Sequence, residues 1–384
     1  LFKSLLVAPA ALGLLAPISA TANEVNLKDI SNYSDVESID LANSFDNNDS
    51  NNTLLAGGEG LVESSSYDGS FSETTTASFS VDGYLGSTDD DDDTVDDAVA
   101  AGYSFQIDLN TSFTGEDSLD ISLDAGTGGT EGIAEFDGNG GGNGLTVDGV
   151  AYTFPIGDKT TAFVGADSDG SSLFTTACVY GGPGNLLDDC ANVNAGITGG
   201  TTAMGASYDF GSGFTAAFGA QTGNESVFTE ESGDSYAVNA AYTADNYAIS
   251  LTYGVVEAVD ANDALTDEED KFTAINAYYT PEGNLPSISV GYEVGDLGGA
   301  ADGADEQASF MVGLTWDEVG PGSAGVALGH SNTNEADDEL YQYEAYYSYP
   351  VNDSMTITPL VYTLDAAGDV DDTTGIMVKT SFSF

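Results

Sequence analysis

The chain has 384 residues, with 5 Lys or Arg against 64 Asp or Glu and a formal charge of -59. Nucleic acid and anionic headgroups, which need clustered Lys or Arg, are excluded as partners, whereas small cations are attracted. With 41% hydrophobic and 10% aromatic residues the chain is too apolar to be disordered throughout, so its charge must be segregated from its apolar segments.

Residues 1–22 begin with one cation, Lys3, followed by the apolar run Leu5-Leu-Val-Ala-Pro-Ala-Ala-Leu-Gly-Leu-Leu15 and small residues ending Ala20-Thr-Ala22. This is the pattern of a secretory signal peptide, with cleavage expected after Ala22. Beyond it no stretch approaches the roughly 18 to 20 apolar residues of a membrane-spanning helix. A secreted, periplasmic or outer-membrane barrel protein remains. Residues 23–69 are rich in Asn, Asp and Ser, including Asn47-Asn-Asp-Ser-Asn-Asn52, and read as a flexible polar periplasmic segment.

Residues 70–384 read as one barrel domain. From Phe71 onward about sixteen segments have strand length and a period of two, which matches the even strand number of membrane barrels. In Tyr103-Ser-Phe-Gln-Ile-Asp-Leu-Asn110 the apolar Tyr103, Phe105, Ile107 and Leu109 share one face, and Ser104, Gln106, Asp108 and Asn110 the other. Ile249, Leu251 and Tyr253 oppose Ser250 and Thr252, and Phe310, Val312, Leu314 and Trp316 oppose Ser309, Gly313 and Thr315. In Tyr341-Gln-Tyr-Glu-Ala-Tyr-Tyr-Ser-Tyr349 four Tyr share a face against Gln342, Glu344 and Ser348. The last segment sets Ile376, Val378, Phe382 and Phe384 against Met377, Lys379, Ser381 and Ser383. A soluble β-sandwich alternates in the same way, so periodicity alone does not decide between them.

The connections decide it. Turn sequences such as Gly211-Ser-Gly213, Ala244-Asp-Asn246 and Pro281-Glu-Gly-Asn284 alternate with long stretches over 87–99, 126–144, 167–200, 256–270, 295–305 and 365–373. Short periplasmic turns and long extracellular loops are a membrane-barrel signature. The expected fold is therefore an all-β, roughly sixteen-stranded antiparallel transmembrane barrel. Its long extracellular loops are acidic, holding Asp89-Asp-Asp-Asp-Asp93, Asp188-Asp189, Glu230-Glu231, Asp267-Glu-Glu-Asp270, Asp337-Asp-Glu339 and Asp371-Asp372.

On the small-polar faces, Asp82, Asp108, Asp120, Asp124, Glu293, Glu344 and Lys379 are expected to line the lumen. Acids in such positions concentrate cations and repel anions. The connection 167–200 contains Cys178 and Cys190, with Gly181-Gly-Pro-Gly184 between them; two cysteines fit an oxidising compartment. A disulfide here would stabilise by roughly 3 kcal/mol and hold the loop in one shape. The loop then either folds inward as a constriction or carries a staple outside the barrel. His330 is the single histidine, and the abundance of Ser and Asp makes their coincidence with it uninformative about a hydrolytic triad. No catalytic residue and no cofactor is expected. The Asp runs lack the spacing of a calcium loop, which leaves loose Ca²⁺ or Mg²⁺ binding at most.

Three segments resemble the porins of cyanobacterial outer membranes related to carbohydrate-selective porins and described as iron-uptake or inorganic-ion porins. They are the leader Leu5 to Pro17, Asn110-Thr-Ser-Phe-Thr-Gly-Glu-Asp-Ser-Leu119, and Tyr152-Thr-Phe-Pro-Ile-Gly-Asp-Lys-Thr-Thr-Ala-Phe-Val-Gly165. The resemblance implies a homotrimer of barrels passing small hydrophilic solutes and ions. Such porins carry an S-layer homology domain that grips cell-wall polymer. Here only Ile30-Ser-Asn-Tyr-Ser-Asp-Val36 looks like its opening, so wall contact is not expected.

The resulting expectation is a passive, cation-preferring outer-membrane porin of a Gram-negative, cyanobacterium-like cell, in contact with lipid and small solutes. The alternative is a secreted or cell-surface β-rich adhesin or layer protein with divalent cations on its acidic loops.

Overall fold

The computed structural model describes residues 74–89, 99–127, 138, 143–185, 187–224, 229, 233–259, 265–298, 305–334, 340–366 and 372–384. The expected leader, the polar segment 23–69 and the acid runs at 90–93, 230–231 and 337–339 lie outside the described residues.

Sixteen strands follow one another: β1 (Thr75–Asp89), β2 (Ala100–Thr111), β3 (Ser118–Gly126), β4 (Thr146–Ile156), β5 (Thr160–Ala166), β6 (Thr202–Gly211), β7 (Phe214–Thr222) and β8 (Asp234–Thr243). The second half comprises β9 (Tyr247–Val259), β10 (Leu265–Tyr279), β11 (Ser287–Asp296), β12 (Glu306–Val319), β13 (Gly322–Asn334), β14 (Gln342–Asn352), β15 (Met355–Leu364) and β16 (Thr373–Ser383). Each pairs antiparallel with its neighbours in sequence, and β1 pairs with β16 from Ser80↔Ser383 to Asp89↔Thr374. Closure leaves no unpaired edge, the condition for a sheet to stand in lipid.

The period of two sorts the faces as the sequence predicts. On β9, Leu251 and Tyr253 are 51% and 41% exposed on the outside, while Ser250 and Thr252 point inward and are buried at 1% and 0%. Val238, Val290, Ile376 and Phe382 are exposed on the same outer surface. This apolar exterior suits hydrocarbon, and a barrel of this strand number is wide enough for an aqueous interior.

Turns alternate in length. One end of the barrel carries turns such as 157–159, 212–213, 244–246, 320–321 and 353–354; the other carries the connection 167–201. In Gly211-Ser-Gly213 all three residues have positive φ, at 87°, 58° and 86°, which lets β6 reverse into β7 within two residues. One expectation is corrected: 256–270 is not a long loop. β9 and β10 keep pairing past a bulge to Val259↔Leu265 and leave only 260–264 between them. Backbone pairing tolerates the acids there, with Glu257 opposite Glu269 and Lys271 standing 3.7 Å from Glu269.

The turn joining β2 to β3 is built around Asp117, within the segment that carries the family resemblance. Its Oδ1 accepts hydrogen bonds from the amides of Phe113 (2.9 Å) and Thr114 (2.8 Å) and from the hydroxyls of Ser112 and Thr114, each 2.8 Å away. Its Oδ2 accepts from the Tyr152 hydroxyl at 2.7 Å, which ties the turn to β4. Burial alone would raise this carboxyl, but the hydrogen bonds from Tyr152, Thr114 and Ser112 outweigh it and hold the group well below the ordinary aspartate range. A depressed carboxyl contributes stability that is present above its unfolded value and lost as pH falls through the folded one. Asp117→Ala is therefore expected to lower the thermal unfolding midpoint of the detergent-folded barrel at neutral pH. The difference from the unsubstituted chain should shrink on strong acidification; a midpoint unchanged at pH 7 would show that the turn does not depend on this carboxylate.

Candidate functional site

The connection 167–201 turns into the barrel. Along its path the Gly170 amide donates to Gln221 Oε1 on β7 (2.8 Å), and Thr175 exchanges hydrogen bonds with the Asn239 side chain on β8 (3.1 and 3.2 Å). The Ala177 amide donates to Ser250 Oγ on β9 (2.9 Å), and the amides of Val179 and Tyr180 both donate to Ser289 Oγ on β11 (3.0 Å each). On the return leg, Asn276 Nδ2 on β10 donates to the Cys190 carbonyl at 2.7 Å. Tyr180 lies over Gly313 of β12 and Leu187 over Gly329 of β13, and the Tyr180 hydroxyl donates to Glu344 on β14. One segment of this length reaches eight consecutive strands only from the inside.

Inward glycines make room for it. A Cβ on Gly291 of β11 would overlap the Cys190 carbonyl oxygen, and one on Gly219 of β7 would overlap that of Gly170. The loop backbone thus lies directly on the barrel wall, a separation that no other residue permits.

Two of the predicted lumen acids are corrected by this arrangement. Glu293 and Glu344 do face inward, but they are only 1% and 4% exposed, covered by the loop rather than bathed by water. Glu293 accepts hydrogen bonds from the amides of Asn194 (2.9 Å) and Ala195 (2.8 Å) and from Asn194 Nδ2 (2.8 Å), so its charge is spent on loop backbone. Burial, then the charge and hydrogen bond of Glu344, push the Tyr180 phenol far above its usual value, so it remains a proton donor at any physiological pH.

The remaining predicted acids share the opposite wall. Asp108 on β2 accepts from Gln106 Nε2 (2.9 Å) and Ser122 Oγ (2.8 Å). Asp120 on β3 accepts from Asn110 Nδ2 (2.5 Å) and Ser118 Oγ (2.7 Å), and Asp124 from Thr146 Oγ1 (2.6 Å). Asp108 and Asp120 are half-buried; Asp124 is buried at the far end of β3. Asp82 on β1 forms an ion pair with Lys379 on β16 at 3.1 Å, and Lys379 also lies 5.8 Å from the centre of the Tyr84 ring. The loop thus meets the inner faces of β7 to β14, whereas Asp82, Asp108, Asp120 and Asp124 stand on β1 to β3.

Cys178 and Cys190 are joined in a disulfide. Cys190 and Ala191 both occupy the left-handed region, with φ of 52° and 57°. The disulfide and the Asn276 hydrogen bond hold this strained pair in place, and with it the neighbouring Asp188 and Asp189. These two acids were expected on an outer loop and instead accompany the inward one. Desolvation, then the charges of Asp188 and Glu293, push the Asp189 carboxyl up to about 6.

Sequence reasoning missed an apolar cluster within the barrel that contains Tyr84, Met311, Tyr346, Leu360, Tyr362 and Met377 together with Tyr180 and Leu187 of the loop. Met311 and Met377 alternate with outward residues and so occupy positions read as wet; both are fully buried. His330 packs between the rings of Phe310 (6.1 Å) and Tyr341 (5.8 Å). Among the described residues no three His, Cys, Asp or Glu side chains converge on a point where a metal would sit.

The fold is similar to that of Pseudomonas putida OprB, with a TM-score of 0.61 at 12% identity over 81% of this chain and 94% of that one. A mutant of a Rh. blastica porin matches with a TM-score of 0.51 at 11% identity, covering 81% of this chain and all of that one. A structure described by the words "asymmetric conductivity of engineered proteins" matches with the same values. At these identities the likeness is one of fold. No family model matches the sequence, and no curated protein matches it.

If Glu293 holds the inner loop, Glu293→Ala removes the acceptor from two backbone amides while leaving the barrel ladder intact. Hydrogen exchange at Asn194 and Ala195 is expected to accelerate roughly ten- to hundredfold, the equivalent of about 1–3 kcal/mol for buried donors left without an acceptor. Unchanged protection at both amides would show that the carboxylate is not what holds the segment down.

Proposed function

We propose that the chain is an outer-membrane porin of a Gram-negative-type cell, a passive channel for small hydrophilic solutes and inorganic ions that prefers cations. What supports this reading is the placement of the acids: half-buried Asp82, Asp108 and Asp120 stand on β1 to β3, across from an inward loop that bears Asp188 and Asp189. Carboxylates on both sides of a water-filled passage lower the energy of a cation and raise that of an anion along its whole width. Among the described residues Lys379 is paired with Asp82 and Lys271 stands beside Glu269, so neither makes an anion-attracting wall.

The inner aromatics bear on the choice of solute. Tyr84, Phe163, Phe272, Tyr346 and Tyr362 are all buried, which favours ions over solutes that need a ring to stack on. The loop fills the β7 to β14 side of the interior, so it is the constriction in this reading, with its disulfide fixing the aperture. Three sequence segments like those of cyanobacterial ion porins favour the same assignment and, with it, a homotrimer.

A planar-bilayer recording across a KCl gradient tests the proposal. Discrete conductance steps with a reversal potential displaced toward that of K⁺ are expected, and Asp108→Asn together with Asp120→Asn should reduce the displacement. The difference should be clearest below about 0.1 M salt, where the screening length exceeds about 10 Å. Flat traces from folded protein, or a preference for Cl⁻, would overturn it.

Acid should act on the loop first. A carboxyl raised to about 6 carries its charge above that value and loses it below, so lowering the pH from 8 to 5 removes the charge of Asp189. The cation preference is expected to fall through that window, and Asp189→Asn should flatten the pH dependence there.

A further inference from the structure

Between the loop and the long-connection ends of β13, β14 and β15 lies a cavity of about 290 Å³. Its polar lining includes Asn185 and Asp189 from the loop, Ser331 from β13 and Gln342 from β14, while an apolar side includes Leu187, Phe310 and Leu364. The volume sits at the small end of ligand cavities, which run from about 300 to 1,000 Å³.

The chemistry of the lining selects among small solutes. Among the described residues Asp189 is its only charged side chain, and no Lys or Arg lines the cavity. The charges of Asp188 and Glu293 act on Asp189, so the local potential is negative. Gln342 Oε1 is buried and has no hydrogen-bond partner among the described residues. A carboxylate, an amide oxygen and a hydroxyl together accept N–H donors, and the two leucines accept methylene groups. A bare metal ion would leave the apolar side unfilled, and among the described residues the carboxylates do not converge in threes.

The site is also rigid. Asp189 adjoins Cys190, which is fixed by its disulfide to Cys178 and by Asn276, and Leu187 is seated on Gly329 of the wall. Lining residues held this way lose little freedom when a ligand arrives.

We propose that this cavity is a binding subsite for a small organic cation, an alkylammonium or guanidinium compound with a short aliphatic stem, which pauses there as it enters the passage. The pause depends on the channel reading given above; the binding itself does not.

The probe is 1,4-diaminobutane, titrated calorimetrically into the detergent-folded full chain at constant ionic strength, with 1,4-butanediol as the uncharged counterpart. Saturable binding of the diamine and none of the diol is expected. Asp189→Asn should weaken binding about tenfold or more, as for loss of a charge-assisted contact, whereas Asp245→Asn, in a turn at the opposite end, should leave it unchanged. Binding that is absent, equal for the diol, or equally weakened by Asp245→Asn would overturn the subsite. In bilayers the diamine should reduce K⁺ current over the same concentration range, and less so in the Asp189→Asn channel. Asp189-dependent binding to a barrel that conducts nothing would keep the subsite and remove the permeation reading instead.

Discussion

A stretch of backbone without regular structure, once buried, must find a partner for each N–H and C=O it carries. In this barrel the inner side chains of β7 to β11 act as those partners, through Gln221, Asn239, Ser250, Asn276, Ser289 and Glu293. The rest follows from that matching. It fixes the path of the inner loop and decides which inner side chains that loop covers.

The same requirement gives one residue type two jobs. Glu293 and Glu344 have lost their water and bind loop donors. Asp108 and Asp120, on the uncovered wall, keep partial exposure and are steadied by hydroxyl and amide neighbours. A buried carboxylate with several donors is a structural joint, whereas a half-exposed one still projects its field into the passage. The location of the loop, more than the count of acids, thus sets where charge is felt.

The fold was largely legible in the sequence because strand alternation is a local property. Leu251 and Thr252 declare opposite faces without reference to anything distant, and turns such as Gly211-Ser-Gly213 mark the reversals. What alternation does not encode is what a polar face touches: Ser250 and Asn239, which bind the loop, have the same pattern as Ser104 and Gln106. Two sequence signals did point to a covered interior. Glycines recur at inward positions on β7, β9, β11, β12 and β13, as Gly219, Gly254, Gly291, Gly313 and Gly329, and apolar Met311, Leu360 and Met377 stand where water-facing residues would otherwise alternate. The run at 267–270 misled because charge suggests a loop, whereas ladder pairing is a matter of backbone.

The glycine-bedded loop also has a mechanical side. A hollow cylinder of hydrogen-bonded strands resists stretching around its circumference far better than it resists being squashed into an oval. A chord of chain fastened at Gln221, Ser289 and Glu344, and packed through Tyr180 and Leu187 against Tyr84, Leu360 and Met377, works as an internal strut. Squashing the tube would have to break these attachments, so the chord that narrows the bore also keeps it round.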